Sequence, residues 1–145
     1  MEEVAAKGVL VILFTLDIKK SVLAYSKVTI FLIILNYIYS LFSHNVSSDY
    51  MTYMFVYPLL GGLLVNLFLI IDEKITRMKL YYIGKFVLNY GIATLVVGSF
   101  IKGVFEIAGT DSIYLVYYFY LGIILASIGF LFLLYSLYRA NNINR

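Results

Sequence analysis

The chain has no cysteine, one histidine, one proline and few charges. Without cysteine it can form no disulfide, run no thiol redox chemistry and build no thiolate metal site, although this sets no compartment. A single imidazole, His44, cannot hold a metal alone. Charged residues make up 13% of the 145, against 63% hydrophobic, where a soluble domain carries about 25% charge. A water-soluble fold of this length could not hide so much apolar surface in one core. The composition therefore predicts an all-α integral membrane protein whose excess apolar surface meets lipid. No Pro/Gly/Ser-rich linker divides the chain, so residues 1–145 read as one membrane domain.

Catalytic groups at membrane depth are also lacking. Asp17, Asp49, Asp72 and Asp111, with Glu2, Glu3, Glu73 and Glu106, fall in connections or near the ends of apolar runs. No two carboxylates stand on facing spans, as a paired-aspartate enzyme would need. His44 lies beside Ser43, Ser47, Ser48 and Asp49 in a short polar stretch that reads as a turn, not as a nucleophile with its base. Glu-x-x-His metal motifs and glycine-rich phosphate loops are missing. The expectation is no enzyme, no cofactor and no metal. The net charge of +3 raises the question of nucleic acid. Its lysines and arginines sit beside hydrophobic runs with no long basic tract, so they read as topology signals, and no nucleic-acid partner is expected.

Four apolar runs are present. A helix crosses a hydrocarbon core of ~30 Å in about 20 residues. Spans are predicted over about 22–42, 51–71, 80–101 and 113–138. Lys27 and Lys85 lie near the starts of the first and third, where a long side chain can snorkel to the headgroups. Short connections over 43–50, 72–79 and 102–112 make sequential spans antiparallel neighbours in a four-helix bundle. Ahead of the first span, Gly8 to Leu16 is an apolar stretch too short to cross. The start is acidic and no small-x-small cleavage pattern follows, which argues against a signal peptide. Residues 3–18 are expected to form an interfacial helix on the inner side, with Glu2 and Glu3 at its start and Lys19 and Lys20 at its end.

Orientation follows from the basic residues. Lys7, Lys19, Lys20, Lys27, Lys74, Arg77, Lys79, Lys85, Arg139 and Arg145 fall on one side, and only Lys102 on the other. This places both termini in the cytoplasm. Tyr50, Tyr53, Tyr57, Tyr114, Tyr117 and Tyr118 near the outer ends, and Tyr25, Tyr81, Tyr82, Tyr135 and Tyr138 near the inner ends, read as two interfacial belts. Lysine outnumbers arginine, and Ile, Tyr and Asn are plentiful, a usage found in AT-rich bacterial genomes. The expected location is a bacterial cell membrane.

Two intramembrane patterns remain. Asn36, Asn66 and Asn89 lie inside three spans at depths that agree within roughly 8 Å by helix rise. They form a candidate polar layer, serving either interhelical packing or a solute path. Gly84, Gly91 and Gly98, and then Gly122, Gly129 and Ser136, each recur every seven residues. This keeps each set on one helix face. A hairpin turning near residues 106–107 sets Gly91 opposite Gly122 and Gly84 opposite Gly129, predicting a tight helix-packing seam. Small multidrug transporters rely on a membrane-embedded glutamate in their first span. Here that span has Asn36 and no acid. The leading expectation is an accessory, regulatory or immunity-type protein that binds another membrane protein or itself in the lipid bilayer. The alternative is a small transporter or channel subunit using the asparagine layer.

The charge bias makes topology testable. Reporter fusions after Lys79 and at the C-terminus should read cytoplasmic, and fusions near Ser48 and Gly109 external. An external C-terminus would overturn the orientation.

Overall fold

In a computed structural model, the backbone is described for residues 2–43, 46–69 and 79–142, and the side chains for 18–43, 46–67 and 79–142. Most of these residues are helical, with no strand among them. The first helix, α1, is Glu2–Phe42. It is followed by α2 (Asp49–Tyr53), a π-helical stretch (Pro58–Leu64) and α3 (Val65–Leu69). Helix α4 is Lys79–Ile107; a 3-10 turn at Ile113–Leu115 then leads into α5, Val116–Asn142. Four stretches are long and apolar enough to cross a membrane: Ile18–Phe42, Asp49–Leu67, Lys79–Ile107 and Ile113–Asn142.

Three boundaries differ from the sequence reading. The separation expected between a helix over 3–18 and a span from 22 is not a break in the backbone, because α1 runs through it without interruption. Residues 17–22 contain neither Gly nor Pro, so nothing there stops a helix. At 41 residues, α1 is a rod, about 60 Å long at the α-helical rise. The second span, expected as one helix over 51–71, is broken by a turn at Met54 and Phe55 and then widens into the π-helical stretch. Pro58 brings no N–H to the helical ladder, and Gly61 and Gly62 add two weak helix formers behind it. Residues 70 and 71 of that expected span lie outside the described residues. Helix α4 continues through Lys102 to Ile107, where a connection was expected from residue 102. Its end is set by Gly109, whose φ is +69°. The Gly109 amide donates to the Glu106 carbonyl (3.0 Å) and the Thr110 amide to the Phe105 carbonyl (2.9 Å). This is the Schellman pattern, which needs a left-handed residue that glycine supplies without strain.

The tightest packing joins α4 and α5. A Cβ built on Gly91 would lie 2.4 Å from the Ala126 amide nitrogen, and one on Gly129 would lie 2.4 Å from the Leu88 nitrogen. From Gly122 it would reach the Gly91 carbonyl at 3.2 Å, and from Gly84 the Gly129 carbonyl at 3.1 Å. Gly98 stands against the Tyr118 Cβ at 2.8 Å by the same construction. Contacts therefore step down α5 as they step up α4. Ser136, fully buried, continues the small-residue face and turns its hydroxyl back to the Phe132 carbonyl (2.8 Å). Any side chain larger than hydrogen at Gly91 or Gly129 would meet backbone, which cannot swing aside.

The second span packs on the other flank of α4, and α1 packs on the second span. One buried cluster gathers Tyr81, Leu88, Ile92, Leu133 and Ala140; another gathers Leu32, Met51 and Met54. Gly103 admits Met51 in the second, since a Cβ there would lie 2.7 Å from the Met51 Cβ. Of the tyrosines read as belts, Tyr50, Tyr53, Tyr82, Tyr114, Tyr117, Tyr118, Tyr135 and Tyr138 are exposed. Tyr81 departs from them: it is fully buried, and the Lys85 ammonium stands 5.7 Å from its ring centre. Tyr57 turns inward as well, its hydroxyl 3.4 Å from the donating Ser99 hydroxyl.

Gly91→Leu should lower thermal stability in mild detergent by ~1–3 kcal/mol or more, the usual cost of overpacking. Ile124→Leu on the exposed face of α5 should be neutral. Equal melting of the two variants would mean that the seam does not hold the pair.

Candidate functional site

A groove of about 380 Å³ lies between α1 and α4, with the second span beneath it. Pro58 and Ile92, both buried, form its floor. Val28 and Val97, 44% and 47% exposed, form its rim, so the groove is open along one side. Its walls are otherwise mainly apolar and carry no ionisable carboxylate or amine. Its polar lining comes from Ser21, Tyr25 and Asn89. The Tyr25 hydroxyl donates to the Asn89 side-chain carbonyl, bridging α1 to α4. The Asn89 amide nitrogen is left without a partner among the described residues.

Adjacent glycines allow this arrangement. A Cβ on Gly62 would fall 2.0 Å from Cδ1 of Tyr25, so the ring of Tyr25 occupies the space that a side chain would take. Gly61 faces the other way, its Cβ position 3.1 Å from the Ile92 side chain. The pair lets the second span fit between α1 and α4 while both stay close.

The three asparagines separate. Asn89 lines the groove. Asn66 is 2% exposed and donates from its amide nitrogen to the Gly62 carbonyl at 2.7 Å. Its side-chain oxygen has no hydrogen-bond partner. Asn66 thus sits one helical turn beyond the glycine that Tyr25 covers. Asn36 lies on α1 three turns past Tyr25, ~16 Å along the axis, and belongs to another level. The residue that meets Asn89 from α1 is Tyr25, which sequence reasoning assigned to an interfacial belt. The available signal was Gly62 itself, a second consecutive glycine with no turn to make.

A smaller recess of about 310 Å³ lies where α4 and α5 are connected, lined in part by Tyr50, Lys102, Asp111 and Phe119. The Lys102 ammonium is 2.5 Å from the Asp111 carboxylate and 5.8 Å from the Tyr50 ring centre. The Tyr50 and Phe119 rings are 5.6 Å apart. Nearby, the buried Ser48 hydroxyl donates to Glu106 at 2.5 Å. The hydrogen bond from Lys102, and next that from the Ser112 amide, hold the Asp111 carboxyl below its ordinary range. A carboxyl depressed in this way contributes stability above its unfolded pKa and loses it as pH falls through the folded value. An exposed pair contributes little either way, so this cluster reads as a tie between connections.

Among the described residues no three His, Cys, Asp or Glu side chains come together. The groove offers hydrogen bonding and apolar contact. His44, Asp72, Glu73, Lys74, Arg77 and Arg145 lie outside the described residues, as do the side chains of 3–17. The chain is thus of the all-helical class with four membrane-length apolar helices. No family model matches it, and neither a curated protein nor a solved structure does.

Proposed function

We propose that this chain is a small multi-pass cell-membrane protein, with both termini cytoplasmic and its four spans antiparallel. It acts as an accessory or regulatory partner of another membrane protein and carries out no catalysis of its own. The observation that carries this reading is α1. It is a single helix of 41 residues, about twice as long as a ~30 Å hydrocarbon core requires. Its apolar window is 11% buried, against 39% for that of α4. In lipid, a helix is held by close packing and interhelical hydrogen bonds. Among the described residues α1 has few of these within its own chain, so its exposed face, including Ile30, Ile34 and Leu41, is available to a partner's spans. The α4/α5 pair serves as the rigid part from which α1 is presented.

A transport reading has one observation in its favour. The unpartnered oxygen of buried Asn66 lies beside a π-helical stretch, and such stretches occur frequently at functional sites.

Photo-crosslinking residues placed at Ile30, Ile34 and Leu41, and for comparison at Ile124 and Leu131 of α5, distinguish these readings in native membranes. The expected result is a discrete adduct with one membrane protein from the α1 positions and only lipid adducts from α5. Lipid adducts alone at every position would remove the partner reading. Solute flux through proteoliposomes holding only this chain, lost in Asn66→Leu, would replace it with transport.

A further inference from the structure

Asn89 presents an amide with one side engaged and the other open. Tyr25 holds its carbonyl, its nitrogen makes no hydrogen bond among the described residues, and the exposed Asn89 side chain lines a groove whose other walls are mainly aliphatic. In hydrocarbon an unsatisfied N–H donor costs free energy that water cannot recover, because water is scarce there. The groove's volume, about 380 Å³, falls in the range of small-ligand sites, ~300–1,000 Å³. It is too small for a helix about 10 Å across, and it opens sideways between Val28 and Val97.

We propose that the α1/α4 groove binds an apolar small molecule carrying a carbonyl-type hydrogen-bond acceptor, which arrives laterally from the bilayer and is anchored by the Asn89 amide nitrogen. This goes beyond the partner role of α1 and is independent of it. The floor at Pro58 and Ile92 supplies dry contact for the ligand's apolar body. Tyr25 is a positioning residue: its hydroxyl fixes the amide so that the nitrogen faces the groove. Gly62 in turn fixes the Tyr25 ring, as no side chain stands between them. A plain hydrocarbon would fill the same walls but offers the amide no acceptor, so a carbonyl in the ligand distinguishes the two.

The test uses two photoreactive probes of equal length, a diazirine-bearing long-chain ketone and the same hydrocarbon without the carbonyl. Each is added to the full chain in phosphatidylcholine nanodiscs, and labelled peptides are located by mass spectrometry. The ketone should label groove positions such as Ala24 and Ala93 saturably and in preference to the hydrocarbon. Asn89→Leu should weaken ketone labelling roughly three- to thirtyfold, the range an intramembrane hydrogen bond spans, and leave hydrocarbon labelling unchanged. Tyr25→Phe, which keeps the ring over Gly62, should weaken it less. Ala93→Phe, which fills the groove, should abolish groove labelling by both probes. Each variant's thermal stability and far-UV spectrum are recorded first. If Asn89→Leu does not fold, Tyr25→Phe and Ala93→Phe still decide the matter. Equal labelling by both probes would show an ordinary lipid-filled groove and overturn the proposal. Labelling spread evenly over exposed residues such as Leu131 would do the same.

Discussion

The arrangement depends on how closely the backbones of α4 and α5 approach at Gly84, Gly91, Gly122 and Gly129. Gly91 and Gly129 face backbone of the other helix at a distance where a Cβ could not stand, while Gly84 and Gly122 face it at 3.1–3.2 Å, where a Cβ would force a shift. Dispersion between backbones at such range is summed over many atoms. It is available in lipid, where burying leucine against leucine gains little. The pair so formed gives the second span a surface to pack on, with Gly103 admitting Met51 on one side of α4 and Ile92 meeting Gly61 on another. Helix α1 comes last and is held least. It rests on the second span and reaches α4 through side chains, among them Tyr25 to Asn89 and Tyr39 to Phe100, whose rings are 6.3 Å apart.

This hierarchy accounts for where an opening occurs. Four helices of similar packing would close around a common axis. Here tight contact is concentrated on α4, and α1 is kept from it by the second span, whose widened π-helical stretch carries Pro58. The result is a groove on the α1 side of α4. The Tyr25–Asn89 bridge crosses the gap, and the Asn89 amide nitrogen makes no hydrogen bond among the described residues.

Much of this was legible in residue spacing. The seven-residue repeat of small residues in α4 and α5 pointed to the face on which they pack, but the register expected from a turn at 106–107 is off by about one helical turn. Gly91 lies closest to Ala126 and Gly129 to Leu88, and Gly122 reaches only the Gly91 carbonyl, at 3.2 Å. The four apolar helices were legible because their length is dictated by the thickness they would have to cross. Less visible was anything that depends on helix phase between non-repeating neighbours. The asparagines matched in depth when counted from span ends, but the long α1 carries Asn36 well past the level of Asn89. Depth counted from an assumed boundary is off by the error in that boundary. The end of α4 was also misplaced, because Gly103 reads as a helix breaker unless it is known to face Met51. The continuity of α1 was hidden by the charged residues Asp17, Lys19 and Lys20, which suggest an interface yet are tolerated in a helix.

The central claim is the facing register of α4 and α5, and a cysteine-free chain allows a clean measurement of it. In the double variant Leu95→Cys with Gly122→Cys, the two sulfurs replace a contact in which the Leu95 Cγ stands 2.7 Å from the Gly122 Cβ position. Under mild oxidation in membranes, mass spectrometry should find a disulfide within one chain in nearly every molecule. The pair Leu95→Cys with Leu121→Cys, whose second residue is 53% exposed, should form almost none. Equal yields from the two pairs, or none from the first, would contradict the glycine register on which the account rests.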